Sequence, residues 1–379
     1  MYFNFVGNLV LNGLETEHPF LREGVTAKKA AYKSVSMIVQ AAKNNSAFTE
    51  IFGMERDTIK TKNKDGQDIE IAWADRLDAD VIASVDGRRK FTFVNGEDRH
   101  EFLTEWDLIN YIAENYDEIN GQRAMVTGQV GKNEYNGKVS NRFVFKAIYL
   151  LDEESNAKNG LRIKAPMYFA KNGIDTADWN DEKKLTITGY TREYAGKDDD
   201  GNSSYKYYEL TTVLDASKAD FENEKHLKMI NFRLKQLGCE LTTGNKVKVT
   251  AKKGYYANQF EILLYQGAEE VEFTYDELTD TQKEMVDLGM KTVEDFKPRG
   301  QAYGDRVVVY KITGVDATGD FKDGIIKADE DTDAEIEENI YVPVAAEKKV
   351  EESDALNETT DKADSKAEAA EEDEEDLFS

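Results

Sequence analysis

The sequence is poor in residues that bind metals or form cross-links. Its 379 residues include one cysteine, Cys239, which excludes an internal disulfide and any cysteine-rich zinc site. The three histidines, His18, His100 and His226, are scattered without the spacing that metal ligands require. No run of 18 apolar residues and no signal peptide is found, so we expect a soluble, intracellular protein. We also expect neither a metal nor another cofactor.

Motifs typical of enzymes are missing as well. There is no phosphate-binding loop of the Walker type, no zincin histidine pair and no nucleophile elbow. Acids are so abundant that any two of them resemble a catalytic pair by chance. The acidic run at residues 197–200 lacks the spaced ligands of a calcium loop, so we interpret it as a solvated hairpin tip. The sequence therefore predicts a protein that is not an enzyme.

What the sequence has in excess is negative charge, and this charge is unevenly distributed. The formal net charge is −26. Residues 328–379 contain 21 acids and four lysines, whereas residues 1–327 contain 54 acids and 45 bases. A block of like charge with few aromatic residues usually stays disordered and acts as an interaction tail. We therefore predict a mildly acidic folded body followed by an acidic tail.

The body shows one order of elements twice. Residues 2–11 and 32–53 read as strands, and residues 102–119 have helical spacing with a capping box from Thr104 to Asp107. A hairpin that turns at Asn136 and Gly137 closes this first module. The order then recurs as strands over 183–194 and 205–216, a helix over 223–237 and a closing hairpin over 246–266. Residues 271–326 read as an extension of the second module.

This repetition predicts the fold class. Five strands with a helix before the fourth strand form the OB arrangement, whose open face binds oligonucleotides. We expect a mainly β protein with a few helices (α+β), built from tandem OB-like barrels and a disordered acidic C-terminal tail. The predicted domains are residues 1–155, residues 156–327 and the tail at 328–379. Two unrelated mixed α/β modules with similar strand order are the alternative.

Binding of a single strand requires cations along the backbone path and flat side chains on which bases stack. Aromatic and basic residues are interleaved on the presumed strands and hairpin tips of both modules. The alternative is that the tyrosines pack the barrel wall while the lysine stems cover apolar surface. The predicted nucleic-acid-binding residues are Lys33, Lys43, Phe48, Phe52, Lys132, Tyr135, Lys138, Arg142, Phe143, Arg192, Tyr194, Lys206, Tyr207, Tyr208, Lys252, Lys253, Tyr255 and Tyr256.

The chain ends in six consecutive acids, two apolar residues and a serine, EEDEEDLFS. This ending resembles the C-terminal tips of bacterial and bacteriophage single-stranded DNA-binding proteins, and the length with two modules is more similar to the bacteriophage type. The resemblance implies that the tip docks into basic, apolar pockets on replication and repair enzymes. Here Ser379 follows the phenylalanine, which departs from the family pattern. The implied partner-binding residues are Glu374, Glu375, Asp376, Leu377 and Phe378.

The sequence thus predicts non-enzymatic binding and protection of single-stranded DNA, in replication, recombination and repair in the cytoplasm of an infected bacterium. RNA stays open as a ligand because contacts to a 2′-hydroxyl leave no mark on composition. Two alternatives are an acidic adaptor or DNA mimic that binds a protein, and a virion or scaffold protein. The tail is also expected to compete with DNA for the binding groove. No membrane partner is expected, and the oligomeric state stays open.

Overall fold

The computed structural model describes residues 1–27, 29–135, 137–197, 201–270, 274–296, 303–316 and 318–343. Most of these residues lie in strands, so the prediction of a mainly β protein with a few helices is confirmed. The strands are β1 (Tyr2–Val10), β2 (Leu21–Val25), β3 (Ala31–Ala42), β4 (Asn45–Met54), β5 (Thr58–Lys62), β6 (Asp68–Ala72), β7 (Phe91–Asn95), β8 (Asp98–Phe102), β9 (Arg123–Tyr135), β10 (Lys138–Leu150), β11 (Gly160–Asp175), β12 (Lys184–Lys197), β13 (Ser203–Asp215), β14 (Cys239–Thr242), β15 (Lys246–Val249), β16 (Tyr255–Glu270), β17 (Tyr303–Val315) and β18 (Ile326–Lys327).

Helices occupy the connections between strands. The two longest begin with N-caps: the Thr104 hydroxyl accepts the N–H of Asp107 at 3.2 Å, where the sequence predicts a helix start, and the Asn223 side chain caps the second of these helices. The helices are α1 (Ala79–Ser84), α2 (Glu105–Glu114), α3 (Tyr116–Ile119), α4 (Trp179–Glu182), α5 (Glu224–Lys235), α6 (Asp280–Asp287) and α7 (Glu330–Glu338). In the described part of the chain, no helix is long and apolar enough to cross a membrane.

In the first half of the chain, five strands pair in a closed circuit. The neighbours run β1–β3–β4–β10–β9 and back to β1, so the circuit returns to its first strand. All of these pairs are antiparallel except β4 with β10, which meet in parallel at Glu50 and Val144. The helix α2 precedes the fourth strand of the circuit, β9, and buries Leu108, Ile109 and Ile112 in the core.

The second half repeats the circuit with different strands. The neighbours run β11–β12–β13–β17–β16 and back to β11, and the closing contact is again parallel, at Val213 and Lys311. The helix α5 precedes the fourth strand, β16. The order of the elements and the pairing of the strands therefore both recur in the second half. The weak similarity in sequence between the two halves only suggests this repetition.

The two halves share backbone hydrogen bonds. Strand β1 pairs with β9 along one edge and with β11 along the other, where Tyr2 lies opposite Lys164. The result is one fourteen-stranded sheet, and residues of both halves contribute to one core that includes Phe5 and Phe260. Residues 1–343 form one unit by their contacts. The domain boundary near residue 155 stays a prediction.

Two local predictions are wrong. Residues 246–266 do not form the closing hairpin of the second circuit: β15 pairs with β14 in a separate two-stranded sheet, and β16 pairs with β17. Residues 329–343 are not solvated chain, because α7 buries Ile336 completely and Asn339 hydrogen-bonds to β13. Residues 344–379 lie outside the described residues.

Candidate nucleic-acid interface

Strands β3 and β4 present an aromatic outer surface, which we call the β3–β4 face. Val35, Met37 and Val39 alternate inward into the core, so the residues between them point outward. On the outer side Phe48 lies opposite Ile38 and keeps 53% of its side-chain area exposed. Phe52 stacks on Tyr32 with ring centroids 5.4 Å apart. Two predicted residues, Phe48 and Phe52, are thus brought together on one accessible surface.

The predicted cations of the first half are largely engaged. The Lys33 ammonium donates to Asn110 on α2 at 2.8 Å, pairs with Glu23 at 2.8 Å and lies 4.9 Å from the Trp106 ring. Arg142 is paired with Glu50 across the two parallel strands. Lys43 and Lys138 are exposed at hairpin tips. Hence Lys33 lies beside the helix rather than on the β3–β4 face.

Two further predicted residues of the first half leave the candidate surface. Phe143 is buried in the core, where its ring packs edge-on against Phe3 and Phe5 at 5.6 and 4.9 Å. The sequence places it at the interface, but alternation along β10 turns it inward. Tyr135 lies opposite Lys138 in the hairpin, and its side chain is outside the described part of the structure.

Strands β12 and β13 present the corresponding surface in the second half, the β12–β13 face. Its cross-strand pairs are Arg192 with Tyr207 and Tyr194 with Tyr205, and Tyr168 of β11 lies opposite Tyr190. The guanidinium of Arg192 lies 4.8 Å from the Tyr205 ring, and Tyr194 keeps 48% of its area exposed. Sequence reasoning missed Tyr168, Tyr190 and Tyr205, although the two-residue spacing of 190, 192 and 194 is a readable signal.

The acidic segment that contains α7 covers part of this face. The backbone of Tyr207 donates to the Asn339 carbonyl at 2.9 Å and accepts the N–H of Tyr341 at 2.8 Å. The Tyr207 hydroxyl donates to Glu335 at 3.0 Å, and the backbone N–H of Tyr255 donates to Asp333 at 2.9 Å. Tyr207 is therefore 0% exposed. Burial and the hydrogen bond to Glu335 raise the pKa of its phenol well above the ordinary value.

Three predicted residues meet at the junction of the two halves. The Tyr208 hydroxyl donates to Glu134 at 2.6 Å, and its ring stacks on Tyr341 at 5.0 Å. Lys132 donates to Asn141 at 2.8 Å and lies 5.5 Å from the Tyr208 ring, and burial lowers the pKa of its ammonium to about 8. Lys206, whose ammonium is 3.9 Å from Glu134, stays exposed. These groups join the halves and leave little surface to a ligand.

The last predicted residues precede or begin β16. Lys252 and Lys253 are exposed. Tyr255 points to the outer side, with its ring 6.1 Å from that of Tyr190. Tyr256 turns inward and stacks on Phe169 at 6.3 Å, and its hydroxyl accepts the Lys252 N–H at 2.9 Å. Adjacent tyrosines thus serve different faces, as strand geometry requires. The predicted tail residues, Glu374, Glu375, Asp376, Leu377 and Phe378, lie outside the described residues.

The described residues do not offer a metal site or a reactive thiol. They contain no group of three histidine, cysteine or acidic side chains arranged to hold a metal ion. Burial raises the pKa of the Cys239 thiol to about 12, so this cysteine is a structural residue.

Comparison with known proteins adds little. No protein-family model and no curated protein matches the chain. Among solved structures, the chain is similar to a crystal structure of a deletion mutant of the single-stranded DNA binding protein from Thermus aquaticus. The identity is 9% and the TM-score 0.24, over 70% of this chain and 86% of that one. A TM-score this low does not allow the two folds to be equated.

Proposed function

We propose that this protein binds single-stranded nucleic acid, with DNA as the expected ligand, through the outer faces of two OB-like barrels. The observation that carries the proposal is the repeated circuit of five strands with a helix before the fourth. In the OB arrangement, the face of the second and third strands binds oligonucleotides. In this chain those strands are β3 with β4 and β12 with β13, and both pairs carry aromatic rings on their outer side.

Binding would combine stacking with modest electrostatic attraction. A base that stacks on an aromatic side chain gains about 1–3 kcal/mol without regard to sequence. Phe48 and Tyr194 are the rings with the most free area on the two faces. Because Lys33 and Arg142 already pair with carboxylates, fewer cations are free for phosphates on the first half. We therefore expect binding that depends little on base identity and relies strongly on aromatic contacts.

The wider role belongs to the same proposal. The protein would protect single strands during DNA replication, recombination and repair, without catalysis, and its source would be a bacteriophage. The acidic segment at residues 371–376 would steer replication or repair proteins to the chain, with Leu377 and Phe378 as the buried anchor. These elements are supported by the sequence of the tail alone.

Fluorescence anisotropy tests the proposal directly. Labelled oligo-dT and a duplex of matched length are titrated with the whole protein at several salt concentrations. We expect oligo-dT to bind more tightly than the duplex and its affinity to fall as salt rises. Absence of binding to oligo-dT at low salt would overturn the proposal.

The second candidate is an acidic adaptor that binds a protein. The engagement of Lys33, Lys132 and Arg142 by protein groups favours it, since nucleic-acid-binding surfaces usually offer free cations. If the protein is an acidic adaptor, it should bind neither oligo-dT nor the duplex. In a pull-down it should instead retain a basic protein at low salt and lose it at high salt.

A further inference from the structure

One segment of the second half, outside strands β12 and β13, is rich in cations. Residues 224–253, which include α5 and the β14–β15 hairpin, contain eight lysines and arginines but only two acids. This segment therefore carries a net positive charge, although the formal net charge of the whole chain is −26. The eight cations are Lys225, Lys228, Arg233, Lys235, Lys246, Lys248, Lys252 and Lys253. We call these eight cations the α5 patch.

The orientation of α5 directs several of these cations to solvent. Ile230 and Leu234 are buried and hold the inner side of the helix on the core. The opposite side presents Lys225, Lys228 and Lys235, which share one face by helical spacing. In their midst Phe232 keeps 54% of its area exposed, and Met229 beside it is also exposed. The solvent side of α5 is therefore both basic and apolar.

Most of these cations have no acidic partner among the residues that the structure describes. Within the described residues, Lys228 pairs with Glu224 at 2.6 Å and Lys248 pairs with Glu240 at 3.1 Å. None of the other six cations of the α5 patch forms an ion pair with a described residue. Lys33 and Arg142 of the first half, in contrast, are both paired with carboxylates. Unpaired ammonium groups can neutralise the phosphates of a nucleic acid, which releases the counterions condensed on the nucleic acid into solution.

One end of the patch lies next to the proposed binding face. Beneath the surface, Gln236, next to α5, accepts the side chain of the fully buried Asn258 on β16 at 3.1 Å, which joins the helix to this strand. Lys252 and Lys253 immediately precede Tyr255, whose ring approaches Tyr190 of the β12–β13 face at 6.1 Å. A strand that leaves this face over the start of β16 therefore meets the patch next.

We propose that the α5 patch is a second contact surface for the single strand, in which the lysines neutralise phosphates and Phe232 stacks on a base. This inference rests on the proposed function and deepens it. Lys225 and Lys235 are ten residues apart, which is about 15 Å along a helix. A polyanion with a charge every few ångströms matches this row of lysines, and a single exposed ring suits one flat base.

The test compares two triple variants of the whole protein. Lys225→Gln/Lys228→Gln/Lys235→Gln removes three charges from the patch, and Lys60→Gln/Lys64→Gln/Lys158→Gln removes three exposed charges elsewhere. We expect the patch variant to bind oligo-dT at least about tenfold more weakly at low salt. Its log–log salt slope should be shallower by about 2, since each phosphate contact contributes about 0.7 for single strands. The control variant should resemble the wild type.

Phe232→Ala supplies an independent measurement, because it leaves the charge unchanged. We expect about a tenfold loss of affinity with an unaltered salt slope and an unaltered melting temperature, since the ring is half exposed. Wild-type affinity in the patch variant would overturn this inference while the proposed function stands. If the patch variant kept its affinity for oligo-dT but no longer bound polyglutamate, the α5 patch would be assigned to an acidic protein partner. No binding of oligo-dT by the wild type would overturn the proposed function itself.

Discussion

The β3–β4 face and the β12–β13 face occupy the same place in two equivalent circuits, yet they differ in what lies on them. Phe48 stands half exposed on the first face, whereas Tyr207 on the second is completely covered by the segment that contains α7. The pairing of strands therefore repeats without repeating the accessible surface. The comparison teaches that a shared fold supplies two platforms, while additional segments decide which platform a ligand can reach.

The segment that covers part of the β12–β13 face also differs from this face in charge. Helix α7 contains six acids and no base, and two of those acids, Asp333 and Glu335, hydrogen-bond to residues of the second half. Glu335 accepts a hydrogen bond from Tyr207, which lies opposite Arg192, and phosphates of a bound strand would lie near this arginine under the proposed function. Under the proposed function, the β12–β13 face therefore binds nucleic acid only when the segment that contains α7 detaches from it.

The largest effect is expected from removing the cover. Ile336 is fully buried, so Ile336→Asp should detach α7 at a cost of about 3 kcal/mol or more, because the apolar contacts are lost and a charge would be buried. Exposing Tyr207 should then raise the affinity for oligo-dT about tenfold. Amide hydrogen exchange at Tyr207 and fluorescence anisotropy measure the two results.

Val342→Asp is the matched control, since Val342 is exposed in the same segment and its replacement adds the same charge. It should change neither exchange nor affinity. Faster exchange at Tyr207 without a gain in affinity would mean that the second face does not bind nucleic acid.

Substitution of single rings should separate the two faces residue by residue. Phe48→Ala should weaken oligo-dT binding by about 1–3 kcal/mol and leave the melting temperature nearly unchanged, because half of the ring is already in water. Tyr207→Ala should lower the free energy of unfolding by about 3 kcal/mol, since it removes a buried ring and its hydrogen bond to Glu335. Anisotropy and thermal denaturation on both variants give the comparison. If Phe48→Ala destabilised the fold and left binding intact, the open face would be a packing surface.

Much of the fold follows from local patterns, and the failures have physical causes. Alternation marks β3 and β4, and the caps at Thr104 and Asn223 mark the two long helices. Sequence patterns do not identify β17 as the closing partner of β16, because residues 271–302 separate the two strands and periodicity carries no information about partners so far apart. Ile336 is the one buried residue of α7, and one apolar residue among acids is too weak a signal to predict a packed helix.

The site was harder to predict than the fold. Opposite orientations of Tyr207 and Tyr208 follow from strand geometry alone. That both are covered depends on the distant residues Glu335 and Tyr341, which no local pattern connects to β13. Likewise, Tyr205 joins the face through its register with Tyr194, and register is set by pairing rather than by composition.

The smallest effect concerns the junction that keeps the two faces in one body. Burial lowers the pKa of Lys132 from its ordinary value of 10.5 to about 8. Above pH 8 the folded protein therefore releases a proton that the unfolded chain keeps until about pH 10.5, so this group makes the free energy of unfolding rise with pH. Cys239 and the buried tyrosines, whose pKa values burial raises, act in the opposite direction above about pH 9.

Because Lys132→Met leaves those groups in place, the difference between variant and wild type isolates the lysine. Urea denaturation between pH 7 and 9.5 should show that the wild type gains stability relative to Lys132→Met as pH rises. Parallel curves for the two proteins would mean that the Lys132 ammonium is solvated and that the junction is looser than its contacts with Asn141 and Tyr208 indicate.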